Sequence, residues 1–372
     1  MINEQIIKQF NIPGNLVNVR QEGNGNINKT YIATYQENGE EKRYLIQQIN
    51  NNVFINPYEL MKNIEGVTSF IQKQMEAQND TKHKVLKVIK TIDNKNLLIC
   101  KDSNGKEAFY RAYNFIENSI CYNTSENKEV VYNTGKAFGF FQKLLNDYPM
   151  ENLAETIKDF HNTKKRFINF EQTVEKDVAN RAKTVEKEIK FILDRKDLSS
   201  LIVNELENNK IPLRVTHNDT KVNNVMMNKD TNDFLAVVDL DTVMPGSGLY
   251  DYGDGVRSAA SNSAEDETNL SKVFIKNELF EKYTDGFLSE VAPCMTKEEV
   301  KLMATSIRLI TYELALRFLD DYLNGDTYFK CNYEEHNLDR ARNQIKLVED
   351  IENKMEYMNN YVLQSYNKYK NK

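Results

Sequence analysis

LRVTHNDTKVNNVMMNKDTNDFLAVVDLDTVMPGSGLYDYGD, residues 213–254, is the stretch on which the chain turns. Within it His217-Asn218-Asp219 is followed by Asn224, five positions after the Asp. A polar turn over 228–233 leads to the apolar run 234–238, and Asp239 comes next. A short apolar run bounded by turn residues reads as a buried strand. Asp239 then emerges where that strand stops, beside Asn224, while Asp219 sits on the same loop displaced to one side. HxD and DxD strings are common singly. Here an apolar lead-in (Leu213, Val215), HND, Asn at the fifth position, a strand and Asp-Leu-Asp occur in that order.

This order resembles the catalytic grammar of protein-kinase-like phosphotransferases. In those enzymes an H-x-D-x-x-x-x-N loop supplies a base and a metal ligand, and an Asp after the next strand makes a second metal contact. The resemblance implies Asp219 as the catalytic base that meets the substrate hydroxyl, Asn224 and Asp239 as ligands of Mg²⁺, and ATP as co-substrate. More narrowly, THNDTKVNNVM followed by VVDLDTVMPGSGLYDYGD is similar to the aminoglycoside-phosphotransferase-type, choline-kinase-like kinases. Within them it most resembles the N-acetylhexosamine 1-kinases, which phosphorylate the anomeric hydroxyl of GlcNAc or GalNAc. The likeness runs from near Gly14 to near Asp350. It implies an α+β, protein-kinase-like bilobal fold with a small β-rich N-lobe and a large, mainly helical C-lobe. The expected division is a nucleotide-binding lobe at 1–112, a hinge at 113–117, and a catalytic and acceptor-binding lobe at 118–372.

With 372 residues there is room for two lobes and a sizeable core. A net charge of −6 argues against a general nucleic-acid or acidic-membrane binder. The four cysteines (Cys100, Cys121, Cys294, Cys331) are scattered without a CxxC pair, which suits neither a zinc site nor a disulfide framework. MINEQIIKQFNIPG has no charged start leading into an apolar run, and no apolar stretch approaches the ~18 residues of a membrane span. A cytoplasmic protein with reduced thiols is expected, a monomer or small homo-oligomer whose partners are ATP and a small sugar.

In the first third, residues 1–12 read as an amphipathic helix stopped by Pro13-Gly14. VNVRQEGNGNINKTYIATY, residues 17–35, reads as two β-runs around a Gly/Asn turn. Glycine lacks a Cβ, so Gly23 and Gly25 let backbone amides approach phosphates. Taken alone the segment is an ordinary hairpin; the resemblance implies a phosphate-covering loop that includes Asn28 and Thr30. KRYLIQQI, residues 42–49, aligns with the strand that carries the phosphate-pairing Lys in kinases, and Gln47 and Gln48 stand there instead. Gln47 is the expected phosphate contact, and Lys29 or Arg43 the expected source of the missing charge. Pro57 opens a helix over 58–74, and 84–92, 97–100 and 108–115 read as strands. RAYNFIENSICY, residues 111–122, looks like the hinge, where the backbone of Tyr113, Asn114, Phe115 and Ile116 is expected to read adenine.

The remainder reads as helical. A helix over 130–145 carries Gly135 and Gly139 for close packing, and a charged helix is expected over 170–193. His161 lies in ETIKDFHNT, which resembles a segment near the acceptor, and is assigned no catalytic role. Asp251 is expected to brace the catalytic loop through its amides, and Asp241 to face the same way as Asp239. The helix over 296–323 has a core stripe of Val300, Met303, Ile307, Ile310, Leu314 and Phe318. Arg317 falls near that stripe, within reach of Glu313 four residues earlier. ALRFLDDYLNGDTYFK, residues 315–330, resembles the family's sugar-binding segment, which implies Arg317 and Tyr328 as acceptor ligands. Two rival readings are a kinase of choline, homoserine or an aminoglycoside, and a silent nucleotide-binding module, the latter prompted by the missing strand Lys.

Overall fold

Alternating side chains over 15–49 build the first layer of the protein. The computed structural model describes residues 2–22, 27–101 and 104–371. After one helical turn, α1 (Glu4–Ile7), come β1 (Asn15–Glu22), β2 (Lys29–Glu37) and β3 (Glu40–Ile49). Helix α2 (Pro57–Ala77) follows, then β4 (Val88–Ile89), β5 (Leu98–Lys101) and β6 (Glu107–Asn114). The strands pair antiparallel in the order β1-β2-β3-β6-β4, with β5 also on β6.

Successive residues point to opposite faces of such a sheet. On one face Tyr31, Ala33, Ile46 and Ala112 bury against Ile7 and Phe10. On the other, Ile49, Phe109 and Tyr113 bury against Leu60, Ile64 and Val67 of α2. The same cluster takes in Leu240 and Val243, so the loop that follows Asp239 is fixed to the sheet by shared core packing. Helix α2 starts where Asn56 caps the Glu59 amide and Pro57 takes the first turn.

The helical region is larger. Strand β7 (Ser119–Ile120) leads to α3 (Lys128–Leu144), α4 (Thr163–Lys176), α5 (Glu186–Leu193) and α6 (Lys196–Glu207). The decisive stretch supplies β8 (Arg214–Thr216), β9 (Val225–Asn228), β10 (Phe234–Val237) and β11 (Met244–Gly246), then α7 (Gly248–Ala260). Helices α8 (Asn277–Val291), α9 (Lys297–Leu323), α10 (His336–Asn353) and α11 (Met355–Tyr369) complete the chain. The pairing of α3 with α8 needs glycine. A Cβ on Gly135 or Gly139 would lie 2.2 or 2.3 Å from the Tyr283 or Phe287 carbonyl oxygen, closer than real contacts allow. The fold is therefore the expected α+β arrangement, an antiparallel N-terminal sheet followed by a mainly helical region. Among the described residues no helix is long and apolar enough to cross a membrane.

Three elements differ from expectation. The N-terminal helix shrinks to α1, because Phe10 and Asn11 pair instead with Thr91 and Lys90 beside the sheet. The strand expected over 84–92 is only β4, since the Lys84 amide donates across to Leu235 of β10 (2.8 Å). The charged helix over 170–193 is broken. Asp177 takes a left-handed φ of 38° and its carboxylate accepts the Arg181 and Ala182 amides, which ends α4 before α5 begins.

Candidate active site

The loop over 217–224 is braced from several sides. Strand β8 pairs with β11. Its buried Arg214 donates from Nε and Nη2 to Glu299 at 2.6 and 2.8 Å, which ties the loop's entry to the capping box that opens α9. His217 is fully buried, donating from Nε2 to the Val238 carbonyl (2.9 Å) and accepting at Nδ1 from the Asp219 amide (3.3 Å). Both ring nitrogens are thus used in bracing. Asn218 sits at φ 64°, a left-handed position that Asn tolerates, and donates to the Thr242 carbonyl (2.8 Å). Beneath them, the buried Asp251 carboxylate accepts the His217 and Asn218 amides at 2.9 and 2.8 Å and Gln142 Nε2 at 3.0 Å. Asp254 accepts the Thr220 amide (3.0 Å) and is paired with Arg257.

On this frame Asp219 and Asn224 meet. Asn224 Nδ2 donates to the Asp219 carbonyl (2.8 Å) and to its Oδ2 (3.0 Å). The Val238 amide donates to the Asn224 carbonyl (2.9 Å), which brings the end of β10 alongside. Asp239 follows at φ 59°. Burial raises its carboxyl pKa to about 6, with the Asp241 and Asp219 charges adding to the effect. Lys221, which the sequence reading passed over, places Nζ 2.9 Å from Asp219 Oδ1. Burial works against the Lys221 charge, but Asp219 and Asp254 more than offset it and hold its pKa above the usual lysine value. Its signal was its place two residues after Asp219.

Among the described residues no group of three or more His, Cys, Asp or Glu forms a ready-made metal cage. Mg²⁺ does not need one. It keeps several waters and is commonly held by one or two protein oxygens together with substrate phosphates. Asp239, solvent-exposed beside Asn224 and close to the charges of Asp241 and Asp219, fits such a cation.

The nucleotide side departs further from expectation. Gly23 and Gly25 lie outside the described residues. Asn28 is buried and committed, donating to Asp241 Oδ2 (2.5 Å) and accepting the Asn50 amide (2.9 Å). Thr30 accepts from Gln47 Nε2, and Gln47 Oε1 accepts from Arg111 Nε, both at 3.0 Å. Arg111 Nη1 in turn donates to Asp241 Oδ1 (2.5 Å). Asp241 is therefore occupied by Arg111 and Asn28.

At the hinge, β6 continues through Tyr113 and Asn114, and Tyr113 is buried in the core. The amides of Asn114 and Phe115 donate to the carbonyls of Lys87 (3.1 Å) and Arg43 (3.2 Å). These two amide donors are spent inside the protein. Ile116 is buried, and its carbonyl accepts from Ser119 Oγ (2.6 Å). Arg43 is engaged elsewhere: it pairs with Glu117 and covers the Phe115 ring at 4.1 Å. Lys29 neighbours Thr30 on β2 and so points to the opposite face.

Arg317 and Tyr328 come together at a cavity of 310 Å³, with Arg166, Asp320, Asn324 and Phe329 also on its wall. Tyr328, 71% exposed, stands at its mouth. Arg317 does not bond Glu313 as its spacing suggested. Its guanidinium lies 5.4 to 5.9 Å from the rings of Phe160, Tyr328 and Phe329. Glu313 instead accepts from His161 Nδ1 (2.8 Å) and Thr163 Oγ1, with Arg166 Nε at 3.9 Å. Burial works against the Glu313 charge, yet His161, Arg166 and Arg317 hold its carboxyl pKa at about 2. Asp320 presents an Oδ1 that is buried with no hydrogen-bond partner. Arg166 and Asp320 were not foreseen, since α4 and α9 meet only in the folded chain.

The model of the phosphotransferase enzyme family (APH) matches residues 56–274. Among solved structures, a microcompartment-associated aminopropanol kinase is similar at 13% identity and TM-score 0.61, covering 96% of this chain and 97% of its own. An amicoumacin kinase in complex with AMP-PNP and Ca²⁺ is similar at 14% identity and TM-score 0.57, with 93% of each chain covered. Choline kinase from Cryptosporidium parvum is similar at 13% identity and TM-score 0.54, covering 97% of this chain and 98% of its own. At such identities these likenesses speak to the fold.

Proposed function

The chain belongs to the phosphotransferase enzyme family, and on that premise we propose that it transfers the γ-phosphoryl group of ATP to the anomeric C1 hydroxyl of an N-acetylhexosamine, giving the sugar 1-phosphate. The observation that carries the reading is the bonded set of Asp219, Asn224 and Lys221 on one loop, with Asp239 beside it. Asp219 accepts the proton of the acceptor hydroxyl as the new O–P bond forms and the bond to the departing ADP oxygen breaks. An anomeric hydroxyl is more acidic than an ordinary alcohol, which lessens the basicity asked of a carboxylate. Lys221 orients Asp219 from Oδ1, and Asn224 fixes the same carboxylate from its other oxygen. Asn224 and Asp239 are the residues to hold Mg²⁺, which supplies neutralisation of the charge that spreads over the phosphoryl oxygens.

The cavity at Arg317 supports this choice of acceptor. Two guanidinium groups, an amide and a tyrosine beside aromatic faces suit a neutral polyhydroxylated ring carrying an acetamido group. Arg166 and Arg317 disfavour a cationic acceptor. Asp320 is the observation that favours the alternative, an amino alcohol, because its unpartnered oxygen could meet an ammonium as well as a hydroxyl. ³¹P NMR of the protein with Mg-ATP and, separately, GlcNAc, GalNAc, choline and kanamycin tests both. A product phosphorus signal coupled to an anomeric proton is expected with a hexosamine. Product only with choline or kanamycin would overturn the sugar assignment and keep the phosphotransferase.

A further inference from the structure

Kinases of this architecture place a lysine on the third strand of the small sheet to pair the nucleotide's phosphates. Here Gln47 stands at that position, and an amide can bond a phosphate but cannot neutralise it. The register of the sheet shows where a charge has gone. Thr30 on β2 is directly opposite Gln47 on β3, and Gln47 is directly opposite Arg111 on β6. Residues directly opposite in antiparallel strands project from the same face. The three side chains form one row, linked Thr30 to Gln47 to Arg111 by hydrogen bonds of 3.0 Å. The row starts at the second residue of β2 and ends on Asp241, two residues beyond Asp239.

Phosphates that reach an oxygen held by Asp219 must lie beside Asp239, against this face of the sheet. Arg111 therefore sits at the floor of the phosphate gap, one strand away from the usual lysine and on the same face. It is 2% exposed. A structural brace between sheet and loop would be satisfied by any buried hydrogen-bonding pair, and an ion pair is an expensive way to make one. A guanidinium, always charged and able to bind phosphate in a fork, has a reason to be there.

We propose that Arg111 is the cation that pairs the nucleotide's phosphates in this enzyme, replacing from β6 the lysine that β3 lacks. This rests on the reading of the protein as a nucleotide-dependent phosphotransferase, and is independent of which acceptor it uses. Asp241 and Gln47 hold the guanidinium in position until the phosphates arrive, and Asn28, bonded to the same Asp241, ties the covering segment to the same point.

The test is calorimetric titration of the full chain with Mg-ATP and with adenosine, without any acceptor. Arg111→Gln is expected to weaken Mg-ATP by about tenfold to a hundredfold, the worth of one charge-assisted phosphate contact, and leave adenosine within about twofold. The double variant Gln47→Lys with Arg111→Gln, which moves the charge back to β3, is expected to restore most of the preference for ATP over adenosine. Removing one partner of a buried ion pair can unfold a protein. The double variant then carries the test alone: folded with the unvaried preference it supports the assignment, folded without it the assignment falls. Equal losses for ATP and adenosine in Arg111→Gln would reduce Arg111 to a brace. An unvaried protein that binds no ATP would bring down the nucleotide reading itself, whereas a failed sugar assay with intact ATP binding would leave Arg111 standing.

Discussion

Replacing Asp239 with Asn is expected to stabilise this protein while disabling it. The Asp239 carboxyl titrates at about 6 in the fold, against 3.8 for an ordinary aspartate. Burial is the first cause, and the charges of Asp241 and Asp219 add to it. The sign is the reverse of the usual carboxylate. The unfolded chain ionises Asp239 more readily than the folded one, so the group costs stability wherever the unfolded state has lost its proton. About two pKa units at ~1.4 kcal/mol each would make about 3 kcal/mol for a fully desolvated group, and solvent screening of this exposed carboxylate cuts the cost to about 1 kcal/mol above pH 7. It falls to roughly half by pH 5 and vanishes below about pH 4, where both states are protonated. Asparagine has nearly the same shape, carries no charge, and tolerates the left-handed φ of 59° found here. In thermal unfolding without metal or nucleotide, Asp239→Asn should melt roughly 1 to 2 °C above the unvaried protein at pH 7.5. The gap should narrow steadily toward pH 4.5. Carboxylates remote from Asp239 titrate alike in both proteins and cancel in the difference. Turnover should be lost at every pH, since the variant cannot offer an anionic ligand. A variant no more stable at pH 7.5, or a gap that does not change with pH, refutes the account of Asp239 as a strained carboxylate awaiting a cation.

Asp219→Asn keeps a group able to meet Asn224 and should lower kcat by about 10²- to 10⁴-fold while ATP binding stays near its starting value; a kcat close to that of the unvaried enzyme would remove Asp219 as the base. Arg317→Ala should raise the acceptor KM by about tenfold without moving the KM for ATP, and an equal change in both would place Arg317 outside the acceptor site. Gly139→Ala drives a Cβ to 2.3 Å from the Phe287 carbonyl oxygen. Backbone cannot swing aside as a side chain does, so a loss of at least about 1–3 kcal/mol is expected in urea unfolding, and an unshifted midpoint would show that α3 and α8 can part freely.

Much of the site was legible because its residues are close along the chain. Asp219, Asn224 and Asp239 fall within a span whose strand and turn lengths already dictate who stands beside whom, whereas Lys221 in the same span was passed over. The sheet strands with clear alternation, β2, β3 and β6, were read near their observed ends for the same local reason. Arg111 was missed because its meaning comes from lying opposite Gln47, 64 positions earlier, and against Asp241, 130 positions later. The charged run over 170–193 misled, since helical spacing of Lys and Glu says nothing of the turn that Asp177 makes by capping two amides. Arg317 was found, but its neighbour was not: Glu313 is taken by His161 from another segment, which leaves Arg317 to aromatic rings and an open cavity.

The sequence by itself determined the chemistry of the loop and the class of fold, because short-range spacing and hydrophobic period act through local geometry. Only the tertiary structure decided which charges serve that chemistry. Burial and long-range partners set whether Asp239 resists ionisation, whether Asp241 is free, and whether a guanidinium on β6 stands where β3 has none. Those are properties of charges brought within a few ångströms in a poorly solvated interior, where separation along the chain counts for nothing and distance through space counts for everything.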